Sequence, residues 1–155
     1  MSSISKINYQ IAIDTLKVVT ATKYQTSGRT TYCNIFAQDV MRGYGYDLPT
    51  GTCKSIFEAL YNNGHANYKS VTFVQAQLRA NQGYPTIAIT SGKASTSPDD
   101  FMPEHVAVVY PSGNIASTVS DVCVSQSGSS CFNNGKISRS WAPADLAKVK
   151  FYSWY

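Results

Sequence analysis

The chain is poor in charged residues and has no long hydrophobic run. Charged side chains make up 14% of its 155 residues, against roughly a quarter in an average globular protein. The formal net charge is +4, but the cations form no cluster or recognisable nucleic-acid motif, so we expect no nucleic-acid partner. No stretch reaches the length needed to span a bilayer, so we expect no membrane insertion.

Histidine is scarce, and the cysteines lack metal-binding spacing. With two histidines and no Cys-x-x-Cys pair, the sequence predicts neither a metal site nor another cofactor. The first residues contain no apolar run of the kind found in signal peptides. We therefore expect a chain that is made in the cytoplasm without such a signal.

The apolar content is enough for one domain. The 155 residues are 43% hydrophobic, which is enough for a single core, and the chain is short for two ordinary domains. We find no internal repeat and no linker. The sequence therefore predicts a single catalytic domain over residues 1–155, and we expect a monomer.

The first half of the sequence has helical periodicity. A helix is predicted over residues 5–20, and a second begins behind the good N-cap residues Thr30 and Thr31. Two shorter helices follow and end near residues 62 and 83. The four apolar faces are Ile4, Ile7, Ile11 and Val18; Cys33, Ala37, Val40, Met41 and Tyr44; Cys53, Ile56, Phe57 and Leu60; and Val71, Val74 and Leu78. On this spacing Cys53 is interpreted as a core residue.

The second half alternates as strands do. Strands are predicted at residues 85–90, 104–110, 115–124 and 148–154, with a turn at residues 111–114. Helices followed by an antiparallel sheet predict a single α+β domain, in which the N-terminal helices pack on the sheet.

Cys33 is the candidate nucleophile. In the first turn of a helix, unpaired N–H groups and the helix dipole favour thiolate over thiol. The backbone N–H groups of Cys33 and Asn34 are candidates to bind an oxyanion. The alternative is a cysteine that packs as a small hydrophobic residue.

His105 is the candidate base, because a histidine at the start of a core strand can point into a cleft. The alternative is a half-buried structural histidine. His65 is a rival base, but it lies in a turn-rich segment without a strand to hold it, so we rank it second.

A third residue usually orients the imidazole of a Cys–His pair. If the turn centres on residues 112–113, His105 faces residues near 120–121 across the hairpin, where Asp121 is the carboxylate. A slip of one residue reverses the faces. Three alternatives to Asp121 therefore stay open, and these are Asn114, Ser125 and Gln126.

Cys123 and Cys131 flank a loop rich in Ser and Gly. The pair can close a disulfide-bonded turn, or both can be free thiols. A disulfide would indicate work in an oxidising compartment.

Four segments carry a resemblance to a known family. Residues 32–40 (Tyr-Cys-Asn-Ile-Phe-Ala-Gln-Asp-Val) and 46–51 (Tyr-Asp-Leu-Pro-Thr-Gly) resemble the nucleophile helix of CHAP and NlpC-type enzymes. Residues 76–84 and 104–109 (Glu-His-Val-Ala-Val-Val) complete the pattern. These families are cysteine- and histidine-dependent amidohydrolases with a papain-like core.

The run from residue 31 to residue 155 looks most like the small type VI secretion amidase effectors. The resemblance implies that Cys33 is the nucleophile and His105 the general base in cleavage of peptide bonds of peptidoglycan stems or cross-links. Two departures are Glu104, where the family often has Gly, and Asn34, where it often has Ser.

The resemblance also implies a biological setting. It implies export on a secretion-machine carrier, action in the periplasm of a target bacterium, and an immunity protein that blocks the Cys33 cleft. Other functions stay open: a phage-type endolysin, a Cys/His glutamine deamidase toxin, and a wall-binding module without catalysis.

Overall fold

The computed structural model describes residues 3–28, 31–62, 67–91 and 103–155. Within these ranges there are five α-helices and six β-strands. The helices are α1 (Lys6–Asp14), α2 (Cys33–Tyr44), α3 (Cys53–Asn62), α4 (Phe73–Asn81) and α5 (Pro143–Leu146). The strands are β1 (Tyr68–Val71), β2 (Thr86–Ser91), β3 (Glu104–Val109), β4 (Cys123–Gln126), β5 (Phe132–Lys136) and β6 (Lys150–Trp154).

The six strands form one antiparallel sheet in the order β1-β6-β2-β3-β4-β5. The central strands β2 and β3 are almost wholly buried, as their β-branched residues predict. Helix α2 packs on β3, and α3 packs on β2. The prediction of a mixed α+β fold with helices on an antiparallel sheet is confirmed.

Helix α1 turns a different face to the core from the one predicted. Ile7 and Ile11 are 70% and 56% exposed, whereas Tyr9 and Ile13 are buried. The Tyr9 hydroxyl donates to the Val109 carbonyl oxygen at 2.8 Å, so this face supplies hydrogen bonds as well as apolar area. The helix also ends at Asp14, earlier than predicted.

Helix α4 also buries a different face from the one predicted. Its exposed side chains include Val74 and Leu78, and its buried residues are Ala76, Gln77 and Ala80. The buried Gln77 amide is satisfied, because Nε2 donates to the Tyr110 carbonyl and Oε1 accepts from the Cys123 N–H, both at 2.9 Å.

The predicted strand over residues 115–124 is largely wrong. A 3₁₀ turn, Val119–Asp121, occupies its second half, and β4 begins only at Cys123. Strands β1 and β5 were not predicted. β1 pairs with β6 at the other end of the chain, Tyr68 opposite Trp154, and such pairing leaves no local signal.

In the described ranges, no helix combines the length and the apolar character that a membrane crossing requires.

Candidate active site

Cys33 is the first residue of α2 and is 6% exposed. The helix forms because Phe36, Ala37, Val40 and Met41 bury one face against the sheet. The N-cap residue is Tyr32, not a threonine, and its side chain makes no capping hydrogen bond. Cys33 therefore lies at a helix N-terminus, where the dipole favours a negative charge.

His105 is the second residue of β3 and pairs with Thr90 of β2. Its neighbours Val106 and Val108 are fully buried, which fixes the strand. The imidazole packs edge-on against the buried Trp141 ring, with 4.8 Å between centroids. The Trp141 indole N–H donates to Thr90 Oγ1 at 3.1 Å, and this bond holds the ring that packs against the imidazole.

Gln126, at the end of β4, orients the imidazole. Its Oε1 lies 2.7 Å from His105 Nε2, and its own Nε2 donates to the Ser130 carbonyl at 2.8 Å. The second bond fixes which amide atom faces the imidazole. Because an amide oxygen only accepts, His105 Nε2 carries the proton, and in the neutral ring Nδ1 is unprotonated. Nδ1 is thus the nitrogen left to bind the Cys33 thiol.

The predicted contact between Asp121 and His105 is wrong. The ladder pairs Val108 with Ser125 and Val109 with Val124, and this register, continued to His105, reaches Gly128. A Cβ added to Gly128 would meet His105 Cε1 at 3.4 Å, which confirms that Gly128 lies next to His105. The connection from β3 to β4 is longer than the assumed tight turn, and it therefore moves the register.

The Asp121 carboxylate has a different task. Its Oδ2 accepts from the N–H groups of Thr118 at 3.0 Å and Ser117 at 3.1 Å. The hydrogen bond from Thr118 is the main cause that lowers the pKa of Asp121 below its usual 3.8. Asp121 caps the 3₁₀ turn before β4, away from the candidate site.

Cys53 was interpreted as a core residue, and it is buried, with 3% exposure. It is also the first residue of α3, and its thiol donates to the Thr90 carbonyl oxygen at 3.7 Å. The helical spacing of Cys53 gave no signal that this residue would lie at the same cleft as Cys33, because the two residues begin separate helices.

The electrostatics of the site favour a negative charge on Cys33. Hydrogen bonding with Cys53 is the largest cause that lowers the pKa of the Cys33 thiol, and burial opposes it. The His105 imidazole lowers the pKa further by hydrogen bonding and by its charge, as does a backbone bond with Val106. The same contact, together with burial, raises the pKa of Cys53.

A cleft of about 240 Å³ opens beside the sulfur of Cys33 and is lined by Thr31, Cys33, Asn34, Thr52, Cys53 and Glu104. The Asn34 side chain is used structurally, since Nδ2 donates to the Gly51 carbonyl at 3.1 Å. The Glu104 carboxylate accepts from the Lys54 N–H at 2.9 Å and so ties α3 to β3. The oxyanion role of the Cys33 and Asn34 N–H groups stays a prediction.

Of the two alternatives for Cys123 and Cys131, a disulfide or two free thiols, the structure has the free thiols. All four cysteines are free thiols. Cys123 pairs with Lys136 across the β4–β5 ladder, and its Sγ lies 3.7 Å from the Asp121 carbonyl. Cys131 Sγ instead lies 3.3 Å from the Tyr24 carbonyl oxygen. The rival base His65 falls outside the described residues.

In the part of the chain that the structure describes, no group of three or more His, Cys, Asp or Glu side chains is placed to hold a metal ion. Comparisons of the chain with protein-family models, with curated proteins and with solved structures give no match.

Proposed function

We propose that the protein is a papain-like cysteine amidohydrolase that cuts peptide bonds in the stems or cross-links of bacterial peptidoglycan. The observation that carries the proposal is one chain of contacts, from Cys33 at a helix N-terminus to His105 and on to Gln126. These are a nucleophile, a base and a group that orients the base, which is the arrangement that nucleophilic catalysis by cysteine requires.

The geometry supports a two-step reaction. His105 takes the proton of the Cys33 thiol, the thiolate attacks the carbonyl carbon of the scissile amide, and the N–H groups of Cys33 and Asn34 bind the oxyanion. The leaving amine takes a proton from His105 as the C–N bond breaks, which leaves a thioester on Cys33. His105 then removes a proton from water, the hydroxide adds to the thioester, and the acid leaves as the thiolate returns.

The choice of peptidoglycan rests on the resemblance around Cys33 and His105, and on a net charge of +4 that suits an anionic wall polymer. On the same basis the protein is an antibacterial effector that acts in the periplasm of a target cell. An immunity protein would then cover the cleft beside Cys33. An endolysin would share the site and the substrate.

The test is mass spectrometry of purified Gram-negative sacculi digested with the wild-type protein, with Cys33→Ala and with the matched control Cys123→Ala. We expect new stem-peptide fragments from the wild type and from Cys123→Ala, and none from Cys33→Ala. Circular dichroism checks that each variant is folded.

Cleavage by folded Cys33→Ala would overturn the mechanism. Intact sacculi with all three proteins would overturn the substrate, and ammonia release from a protein glutamine would then indicate a deamidase. Fragments from the wild type that Cys33→Ala lacks would also identify, by their masses, the bond that is cut.

A further inference from the structure

The cleft beside Cys33 has one carboxylate among the described residues that line it. The lining consists of two threonines, an asparagine, two cysteines and Glu104. In the proposed reaction, the Cys33 thiolate and the His105 imidazolium balance each other. The net charge left at the cleft is therefore that of the Glu104 carboxylate.

Glu104 is held in place at this cleft. It is the first residue of β3 and pairs with Ser91 at the end of the β2–β3 ladder. Its Oε1 accepts from the Lys54 N–H, in the first turn of α3, at 2.9 Å. Within the described ranges this is the one hydrogen bond of the carboxylate, so Oε2 can accept from a donor that enters the cleft.

Glu104 makes no ion pair within the part of the chain that the structure describes. The ion pairs there are made by the carboxylates of Asp39, Asp121 and Asp145. Lys54 gives Glu104 its backbone N–H and not its ammonium group. A carboxylate that is anchored by one neutral donor and faces a cleft is complementary to a cation.

The contact with α3 explains why residue 104 is an acceptor, but an acceptor need not be charged. The amide oxygen of a glutamine would also accept from the Lys54 N–H. A negative charge does suit the N-terminus of α3. Stability of the helix and recognition of a ligand are therefore the two roles that an experiment has to separate.

We propose that Glu104 is a specificity-determining residue that binds a primary ammonium group of the substrate next to the scissile amide. The inference deepens the proposed function, since it names the class of peptide that the site accepts. Peptidoglycan stems offer two such groups. One is the side-chain amine of a diamino acid that is not cross-linked, and the other is the terminal amine of a stem released from the glycan.

The first experiment measures the charge of the cleft without peptidoglycan. Cys33 is modified with 2-aminoethyl methanethiosulfonate, a cation, and with 2-sulfonatoethyl methanethiosulfonate, an anion, and peptide mapping assigns the label to Cys33. The salt concentration is about 0.15 M, which screens charges more than about 8 Å away. Glu104→Gln keeps the acceptor for the Lys54 N–H and removes the charge. The ratio of the cation rate to the anion rate should therefore fall about three- to tenfold.

The matched control is Glu58→Gln. It removes the same charge from an exposed position of the same helix that does not line the cleft. Its rate ratio should equal that of the wild type. The melting temperatures of both variants are measured, because a purely structural role of Glu104 would lower its melting temperature and leave the ratio unchanged. An unchanged ratio in folded Glu104→Gln, or an equal fall in Glu58→Gln, would overturn the proposal.

The second experiment identifies the amine. The wild type and Glu104→Gln are compared on a soluble stem peptide in three forms: unmodified, acetylated at the terminal amine, and acetylated at the side-chain amine. Acetylation of the amine that Glu104 binds should lower kcat/KM of the wild type about three- to tenfold, mainly through KM, because the contact is the same in the ground state and the transition state. Glu104→Gln should lose this discrimination.

The outcomes distinguish this inference from the proposed function. If the wild type cuts all three peptides equally well, the binding of an ammonium group fails while the peptidoglycan hydrolase stands. If no peptide and no sacculus is cut, but the modification ratio falls in Glu104→Gln alone, the proposed substrate fails while the preference of the cleft for a cation stands.

Discussion

The β3–β4 hairpin has two ends, and they use polar side chains in opposite ways. At the end where β3 begins, His105 and Gln126 bind each other beside a cleft that also contains Cys33. At the end where the strands connect, polar groups fasten the chain to itself. The Tyr110 hydroxyl donates to the Asp14 carboxylate at 3.0 Å, and the Cys123 N–H donates to Gln77.

The two ends of the hairpin differ in the partners of their polar side chains, not in the kinds of polar side chain they contain. Both ends contain an acid or amide and a cysteine close to a strand. At the connecting end, Asp121 faces backbone N–H groups of its own turn, so its charge is used for local structure. At the other end, α2 and α3 begin at one cleft, where the His105 imidazole lowers the pKa of Cys33, and such a perturbed group in a cleft is typical of reactive sites.

Apart from loss of the nucleophile, the largest expected effect comes from removing the imidazole. His105→Ala should lower kcat/KM for stem-peptide cleavage by about 10²–10⁴-fold, the usual contribution of a positioned acid–base group. Chromatography of muropeptide products measures the rate.

The matched change at the connecting end is Tyr110→Phe, which removes only the hydroxyl bound to Asp14. It should leave the rate unchanged. A similar loss in both variants would mean that the two ends of the hairpin are not functionally distinct.

A smaller effect is expected from the group that orients the imidazole. Gln126→Ala removes the acceptor 2.7 Å from His105 Nε2. A hydrogen bond of this kind, which strengthens as the imidazole becomes charged, contributes about 1.5–3 kcal/mol, or roughly 10–160-fold in rate. The loss should appear mainly in kcat, since the amide does not line the cleft.

Two further substitutions show whether orientation is the reason. Gln126→Glu keeps an acceptor and adds a charge that favours the imidazolium, so it should recover activity with the basic limb of the pH profile moved upward. A control in the same strand is Ser125→Ala, whose hydroxyl donates to Asn133 rather than to the site. Full activity in Gln126→Ala would remove this residue from the catalytic arrangement.

The parts of the site that the sequence predicts depend on local signals. Cys33 was expected in the first turn of a helix, and it is the first residue of α2. His105 was expected at the start of a strand with buried neighbours, and β3 begins one residue before it. Periodicity and capping act over a few residues, so one sequence is enough to read them.

The parts that were missed depend on contacts between distant segments. Gln126 was only one of three alternatives to Asp121 as the partner of His105. The length of the β3–β4 connection sets the register of the two strands, and that connection contains an unpredicted 3₁₀ turn. Cys33 and Cys53 line one cleft although they begin two separate helices. The buried faces of α1 and α4 were also misjudged, because they include Tyr9 and Gln77, whose polar groups are satisfied by hydrogen bonds in the core.

The smallest expected effect is at Asp121, and it tests the connecting end directly. Asp121→Asn weakens the charge-assisted capping of the 3₁₀ turn but removes nothing from the cleft. Peptidoglycan cleavage should stay within about twofold of wild type, and the melting temperature at neutral pH should fall. A large loss of activity with a normal melting temperature would return Asp121 to the site.

The pH dependence of that melting temperature distinguishes a capping carboxylate from a bystander. The pKa of Asp121 is lower in the folded protein than its usual 3.8, because the Thr118 N–H binds the charged form. The stabilisation is therefore fully present above that value and disappears as the pH falls through the folded pKa. The difference in melting temperature between wild type and Asp121→Asn should accordingly shrink in this acidic window. A difference independent of pH would mean that the carboxylate charge does not stabilise the turn.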